Sequence, residues 1–190
     1  KFDKTFDLST RWAVLLHDVG KPQTRQIRDG KITFYEHMQV GEQIAKKLGK
    51  RLKFSNHEMD KIAWLVRNHM VPNDFQYMKL TTKRKWALHP NFMDLLRVFK
   101  ADASASLPAG RNKKPSLAAY KIGLEILEDL KKQPAPSKPI LSGHEVMKIL
   151  KIKQGPLVGK ALKILEEAKL AGKISNKFEA QKYLQKNKNL

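Results

Sequence analysis

The feature that most constrains the fold is an apolar run that ends in a histidine and an aspartate, in the stretch WAVLLHDVGKPQTR at residues 12–25. Its first five residues would cover most of the circumference of a helix, so we predict a buried helix here. The carboxylate of Asp18 at the end of a buried helix is costly unless a cation or hydrogen bonds compensate it. We therefore expect Asp18 to contact a metal ion or, alternatively, a buried arginine, with Arg67 and Arg97 as the candidates.

Helical periodicity extends over most of the chain. It predicts helices at residues 10–18, 36–50, 55–70, 82–88, 92–104 and 116–132. A short β-hairpin is predicted around Asp29 and Gly30, because this dipeptide is typical of tight turns between strands. The predicted fold class is therefore all-α, with a small β-hairpin excursion in a helical domain, followed by a small three-helix basic tail.

The stretch QPAPSKP at residues 133–139 divides the sequence, because three prolines in so short a stretch cannot lie inside a helix. We predict a helical domain at residues 1–133, a proline-rich linker at 134–139 and a basic helical tail at 140–190. Each part would then fold around its own apolar residues.

The charge balance indicates a polyanionic partner. The chain has 38 Lys and Arg against 18 Asp and Glu, a net charge of +20. Nucleic acid is the leading candidate for such a partner, and the alternative is a surface that is merely rich in lysine. The chain has no cysteine, and no apolar run approaches the roughly 18 residues that span a membrane. These features fit a cytoplasmic protein without a membrane partner.

The tail is the more densely basic part. From Pro134 to the end it has twelve Lys against four Glu, a net charge of +8 in 57 residues. The start of a tail helix at Pro156, with Lys160 and Lys163 following, suits a phosphate group. The alternative is that this helix start packs on its neighbours through Gly159 and Leu162. Lysine without exposed aromatic residues indicates contact with an RNA backbone rather than with bases.

Helical phase sorts the histidines. His37 and His69 lie on the apolar stripes of their helices, and Asp102 lies on the inward side of its helix. Asp94 of that same helix is predicted to face outward. Together with the His-Asp pair described above, these inward residues offer imidazole and carboxylate groups that suit Zn, Mn, Fe or Ni. The alternative is that each is a core residue with its own hydrogen-bond partner.

The segments LLHDVGKP, FYEH, LVRNH and KADASAS resemble, in this order, successive motifs of the HD superfamily of metal-dependent phosphohydrolases. More closely, they resemble the HD-containing body of bacterial tRNA nucleotidyltransferases, the CCA-adding and poly(A) polymerase-like family. The segment PILSGHEVMKILKIKQGPLVGKALKILEEAKLAGKI resembles the RNA-binding tail of that family. The resemblance implies an HD-type helical domain at residues 1–133 and an RNA-binding tail at 140–190, with tRNA as the expected partner.

The resemblance also implies roles for individual residues. His17 and Asp18 would be the HD pair, Asp102 the closing aspartate, and His37 and His69 the intervening histidines. These five would hold one divalent metal ion or two, such as Mn, Ni, Mg, Zn or Fe.

Two cations follow the HD pair closely. Asp18 would hold the metal ion and orient a water molecule, while Lys21 and Arg25 would neutralise a phosphate group. The alternative for Lys21 is an ordinary cation that complements the end of a helix.

The sequence departs from the family in two ways. No histidine precedes His17, whereas the first ligand histidine of the superfamily lies upstream of the HD pair. The nucleotidyltransferase head, with its paired carboxylates after a Gly-Ser motif, is absent from this chain. We therefore expect weak metal occupancy in a body and tail that bind tRNA, with phosphodiesterase or phosphatase activity at the HD site. The alternatives are a stand-alone HD phosphohydrolase acting on nucleotides or RNA ends, and a catalytically silent RNA-binding scaffold.

Overall fold

The computed structural model describes residues 6–105, 116–132 and 139–187, which are helical apart from one hairpin. The helices are α1 (Leu8–Leu16), α2 (Lys21–Thr24), α3 (His37–Arg51), α4 (Asn56–Asn68), α5 (Leu80–Ala87), α6 (Phe92–Ala105), α7 (Ala118–Lys132), α8 (Gly143–Leu150), α9 (Pro156–Leu170) and α10 (Lys177–Lys186). Strands β1 (Gln26–Arg28) and β2 (Lys31–Thr33) form the hairpin, and a 3-10 helix covers Val71–Tyr77. The all-α prediction with one small hairpin is confirmed. None of the helices in these ranges is long and apolar enough to cross a bilayer.

The chain divides into two compact units. The first comprises residues up to Met78 together with 87–125, and the second comprises 79–86 together with the residues from 126 onward. Nearly all of α5 therefore belongs to the same unit as the tail helices, and α7 contributes residues to both units. Residues 134–138 of the predicted linker lie outside the described residues.

The core of the first unit lies between α1, α3 and α4. Helix α3 packs along α4, and α1 packs against α4 and α6. The buried side chains at this contact are Leu16, Ala45, Ile62 and Val66. Each large aliphatic side chain that is buried stabilises the fold by about 1.5–3 kcal/mol. The packing brings the C-terminal ends of α1 and α4 to the N-terminal end of α3, where the predicted metal ligands lie.

Helix α1 is only partly buried, which corrects the prediction of a buried helix that starts at residue 10. It begins at Leu8 because the Asp7 side chain accepts a hydrogen bond from the N–H of Thr10 at 2.7 Å. Ala13 is fully buried, whereas Leu15 is 66% exposed. The apolar run is therefore wider than the face that α4 and α6 cover.

Asp94 is buried and ion-paired, so the prediction that it faces outward is wrong. Its Oδ2 lies 2.6 Å from Lys61 Nζ, and its Oδ1 accepts a hydrogen bond from Arg97 at 2.7 Å. Lys61 Nζ also lies 2.5 Å from Asp7 Oδ2. One lysine of α4 thus joins the start of α1 to α6, and Arg97 has Asp94, not Asp18, as its carboxylate partner.

Gly20 allows the turn after α1 to touch α3. A Cβ atom at this position would lie 2.1 Å from the carbonyl oxygen of His37 and 2.7 Å from the amide nitrogen of Gly41. Both are backbone atoms, so a side chain would force the two segments apart. Gly20 therefore sets how closely Asp18 can approach His37.

The second unit has a separate core between α8, α9 and α10. Its buried members are Leu141, Val146, Val158, Ala161, Leu165, Ala168, Ile174, Ala180 and Leu184. Arg84 of α5 is only 5% exposed and donates hydrogen bonds to the carbonyl of Leu170 and to Asp129 Oδ2, the latter from Nε at 3.1 Å. This arginine fixes α5 to the ends of α7 and α9.

The start of α9 leaves its lysines in solvent. Helix α9 begins at Pro156, as predicted, and both Lys160 and Lys163 are exposed. A Cβ atom at Gly159 would meet nothing within 4 Å. The alternative that this helix start packs on its neighbours therefore holds for Leu162, which packs against the core of the second unit, but not for Gly159.

Replacing Gly20 by alanine should destabilise the first unit by about 1–3 kcal/mol, the usual cost of an extra methyl group in a closely packed contact. Gly159→Ala is the matched control, because its methyl group meets open space and alanine is the better helix former by about 1 kcal/mol. Urea denaturation followed by circular dichroism measures both variants. Equal effects of the two substitutions would contradict the close approach at Gly20.

The carboxylate of Asp7 should give stability that depends on pH. Burial opposes its ionisation, but hydrogen bonds from Lys61 and Thr10 lower its pKa from the ordinary 3.8 to about 2. Because the pKa is lower in the folded state, this stabilisation is present above about pH 4 and is lost as the pH falls through about 2. Asp7→Ala should therefore lower the free energy of unfolding at neutral pH by about 1 kcal/mol, as expected for a lost helix cap. Denaturation curves should show this difference shrinking in acid, and a constant difference would count against the ion pair.

Candidate metal centre

The five predicted metal ligands come from the ends of three helices and from the interior of a fourth. His17 is the C-cap residue of α1, and Asp18 follows it directly. His37 opens α3, and His69 is the C-cap residue of α4. Asp102 lies within α6. Because α1 and α4 end where α3 begins, segments that are far apart in sequence deliver these side chains to one place.

Each of the three histidine rings is fixed by its own local backbone. In every case Nδ1 lies 2.8 Å from the carbonyl oxygen of the residue three positions earlier, which is Val14 for His17, Phe34 for His37 and Val66 for His69. A carbonyl oxygen can only accept, so Nδ1 carries the proton and Nε2 of a neutral ring presents a lone pair. Metal-binding histidines are oriented in this way by a backbone carbonyl or a carboxylate.

The three Nε2 atoms converge on Asp18. Oδ1 of Asp18 lies 3.7 Å from Nε2 of His37 and 3.7 Å from Nε2 of His69, and Oδ2 lies 3.3 Å from Nε2 of His17. Nε2 of His17 is also 3.4 Å from Oδ1 of Asp102, so this ring lies between two carboxylates. The structure therefore brings all five predicted ligand residues together.

The spacing of these atoms fits a single divalent ion. Asp18, His37 and His69 each offer one ligand atom, and the three atoms lie within 4.8 Å of one another. Ligands at about 2.0–2.2 Å from a metal ion are about 2.8–3.6 Å apart at octahedral or tetrahedral angles. The two Nε2 atoms of His37 and His69 are 3.3 Å apart. Two imidazole lone pairs at this distance repel each other unless a proton or a metal ion lies between them.

Contacts within the cluster shift the pKa values of its members and so fix their protonation states. Hydrogen bonds to Asp102 and Asp18 raise the pKa of His17 to about 10. Without a metal ion, the His17 ring is thus a cation at neutral pH. Burial disfavours ionised Asp18, yet hydrogen bonds from His17 and Lys21 keep its pKa well below the ordinary value. Burial lowers the pKa of His69, which keeps its ring in the neutral form that binds metals.

Besides His17, the cationic side chain that contacts Asp18 is a lysine and not one of the arginines considered in the sequence analysis. Nζ of Lys21 lies 2.6 Å from Oδ2 of Asp18 and 5.6 Å from the centroid of the Phe34 ring. Within the described ranges no arginine contacts Asp18, so the alternatives Arg67 and Arg97 are wrong. Lys21 is a direct partner of the cluster rather than a general cation at the end of a helix.

The remaining predicted phosphate-binding residues lie elsewhere. Arg25 is an exposed residue between α2 and β1, while Lys160 and Lys163 are exposed residues of α9 in the second unit. The sequence reasoning missed the contribution of Gly20, although its position two residues after the HD pair was a usable signal. It also missed the carbonyls that orient the rings, for which no sequence signal exists because every residue has a carbonyl.

Comparison with known proteins agrees with this geometry. The HD domain family matches residues 4–105. The chain is 37% identical over 185 residues to an A-adding tRNA nucleotidyltransferase of Deinococcus radiodurans, which covers 95% of this chain and 42% of that protein. It is 36% identical over 181 residues to a CC-adding tRNA nucleotidyltransferase of Thermus thermophilus, which covers 93% of this chain and 39% of that protein. No solved structure matches the chain significantly.

A third relative matches a smaller part of the chain. This protein is a bifunctional uridylyltransferase/uridylyl-removing enzyme of Rhodospirillum rubrum, 41% identical over 58 residues, or 30% of this chain and 5% of that protein. The chain spans about two fifths of the length of the two tRNA nucleotidyltransferases. The HD match covers more than half of the chain and includes all five clustered residues. The chain therefore belongs to the HD-domain family, and it is similar over nearly its whole length to tRNA nucleotidyltransferases.

Proposed function

We propose that this chain is the HD-containing body and tail of a tRNA nucleotidyltransferase-like protein, that it binds tRNA, and that its histidine and aspartate cluster hydrolyses a phosphate ester with a divalent metal ion. The observation that supports the metal site most directly is the convergence of three Nε2 atoms whose rings are fixed through Nδ1. The names of the two long relatives support tRNA as the partner.

In this proposal the ion is held by His17, Asp18, His37, His69 and Asp102. When bound, a divalent ion polarises a water molecule and neutralises charge on a phosphate group. The three imidazoles suit Zn, Fe or Ni, and the two carboxylates also suit Mn. The raised pKa of His17 means that a metal ion competes with a proton for this ring.

Asp18 and Lys21 have complementary roles beside the ion. Asp18 stays ionised because of His17 and Lys21, so its oxygens remain available as ligands. Its side chain is 35% exposed and that of Lys21 is 39% exposed, so a phosphate group from solvent can reach both. We propose that Asp18 orients the attacking water and that Lys21 donates to a phosphate oxygen. Arg25, which is also exposed, would contact the same polyanion.

The second unit is proposed to hold tRNA through its backbone phosphates. Lys160 and Lys163 project from the first half of α9, and the free N–H groups at the start of that helix favour an anion. Phe178 is 65% exposed with Lys182 Nζ 4.7 Å from its ring centroid. This exposed aromatic residue corrects the expectation that the tail has none, and it gives the tail one position on which a base can stack.

Metal binding should be visible in thermal stability. An ion that binds only the folded state at a hundredfold excess over its dissociation constant stabilises the chain by about 2.7 kcal/mol. In such an excess of Mn²⁺, Ni²⁺ or Zn²⁺, we expect EDTA to lower the melting temperature of the first unit by several degrees, and a renewed excess of the ion to restore it. Asp18→Asn should abolish this restoration and also the hydrolysis of bis(p-nitrophenyl) phosphate. Differential scanning fluorimetry and a colorimetric assay measure the two effects.

The matched control for Asp18→Asn is Asp60→Asn, an exposed aspartate of α4. It should leave both the metal response and the hydrolysis unchanged. Asp94→Asn is unsuitable, because Asp94 is buried between Lys61 and Arg97. If no divalent ion shifts the melting temperature, the metal site is refuted. If ions bind without any hydrolysis, the chain is the catalytically silent scaffold.

Binding of tRNA should depend steeply on salt. With about 3–5 phosphate contacts, the slope of log K against log salt should be roughly −2 to −4. Lys160→Ala/Lys163→Ala should flatten the slope by about 1.4–1.8, the share of two contacts. Lys46→Ala/Lys131→Ala is the matched double variant, because these lysines already pair with Glu42 and Glu128 at 2.7 and 2.6 Å. Equal slopes for the two double variants, from fluorescence anisotropy at several salt concentrations, would show that α9 does not hold the RNA.

A further inference from the structure

We propose that the β-hairpin between α2 and α3 is a stacking platform that binds the unpaired end of an RNA strand beside the metal cluster. This inference rests on the proposed function and names the substrate class of that site. It starts from Tyr35, a tyrosine that is 60% exposed although it lies two residues before His37. An exposed aromatic ring next to a cluster of buried histidines is a group to which a ligand can add contact area.

The base of the hairpin contacts the cluster directly. The carbonyl oxygen of Phe34 accepts the hydrogen bond that orients His37. Nζ of Lys21 lies between the Phe34 ring, at 5.6 Å from its centroid, and Oδ2 of Asp18, at 2.6 Å. A nucleotide that lies on the hairpin beside Phe34 would therefore have its phosphate group within reach of the proposed ligands.

The hairpin combines stacking surfaces with apolar surface. Cζ of Arg28 lies 4.9 Å from the centroid of the Tyr35 ring. Ile27 and Ile32 are cross-strand partners and are 65% and 52% exposed. Aromatic rings and guanidinium planes are the groups on which unpaired RNA bases stack. The Arg28–Tyr35 pair thus offers both a face for a base and a charge for its phosphate.

The charge of this segment suits a polyanion rather than a protein surface. Residues 21–35 carry Lys21, Arg25, Arg28 and Lys31 against Asp29, a net charge of +3. A double-stranded stem keeps its bases stacked on one another, so exposed rings gain contact only with an unpaired strand. The platform therefore fits a single-stranded RNA end, whose terminal phosphate ester would lie at the cluster.

The test is the binding of a short single-stranded oligoribonucleotide and of a blunt-ended RNA duplex to the full chain, measured by fluorescence anisotropy. Lys160→Ala/Lys163→Ala is used as the background, so that α9 contributes little to binding. Tyr35→Ala should weaken binding of the single strand by about fivefold to a hundredfold, the range for one lost stack between a base and an aromatic ring. Binding of the duplex should change much less.

Three further variants keep the result interpretable. Tyr35→Phe retains the ring and should bind the single strand like the parent chain. Arg28→Lys retains the charge but loses the guanidinium plane. It should therefore weaken binding of the single strand, while circular dichroism shows an intact fold. Tyr77→Ala removes another tyrosine of the same unit, one that is 81% exposed, and should have no effect.

Hydrolysis of bis(p-nitrophenyl) phosphate, the ester used above, which has no nucleobase to stack, separates the two proposals. If this ester is not hydrolysed but Tyr35→Ala still weakens binding of the single strand, the phosphohydrolase proposal fails and the proposed platform stands. If the ester is hydrolysed and Tyr35→Ala binds the single strand like the parent chain, the platform is overturned. It is also overturned if Tyr35→Ala leaves RNA binding intact but abolishes self-association in light scattering, since the hairpin would then be a protein interface.

Discussion

A carboxylate that faces three imidazole rings needs positive charge close to it, and this requirement organises the first unit. Asp18 meets it through His17 and Lys21, the neighbours with which its oxygens make their shortest contacts. His37 and His69 complete the group from α3 and α4. The core between α1, α3 and α4 is what holds these helix ends together against the cost of burying polar groups. Packing and charge compensation therefore support the same arrangement.

Most elements of the fold follow from local signals in the sequence. Ser55 and Glu58 form a capping box at the start of α4, for which a serine three residues before a glutamate is the sequence signal. Asp29 and Gly30 adopt the positive φ of a tight turn. The wrong predictions concern which helix faces are covered by neighbouring elements. Leu15 is exposed and Asp94 is buried, because a periodic pattern shows how much surface an element could bury and not how much its neighbours cover. Coverage depends on residues distant in sequence.

For the candidate site, too, the sequence predicts what is local to one helix but not the contacts between helices. Helical phase correctly predicted that His37 and His69 are buried, whereas Asp102 is partly exposed and contacts His17. Phase within one helix contains no information about another helix. Their convergence depends on the close approach that Gly20 permits and on three helix ends that meet at one point. The resemblance to the HD superfamily supplied that missing information, because a family motif records which inward residues share a site.

The anchoring of each ring to a carbonyl three residues earlier has a consequence for exchange of the ion. The conformational entropy of the three imidazoles is lost when the helix ends form, not when an ion arrives. In the proposed metal site, the three rings would thus be held rigidly, and different divalent ions could bind and dissociate while the helices stay in place. The affinity of such a ligand set follows the order Mn²⁺ < Fe²⁺ < Co²⁺ < Ni²⁺ < Cu²⁺ > Zn²⁺, so affinity alone does not select the physiological metal, and metal availability contributes. The identity of the ion bound at the proposed site would then depend more on which metals are available around the protein than on selectivity of the ligands.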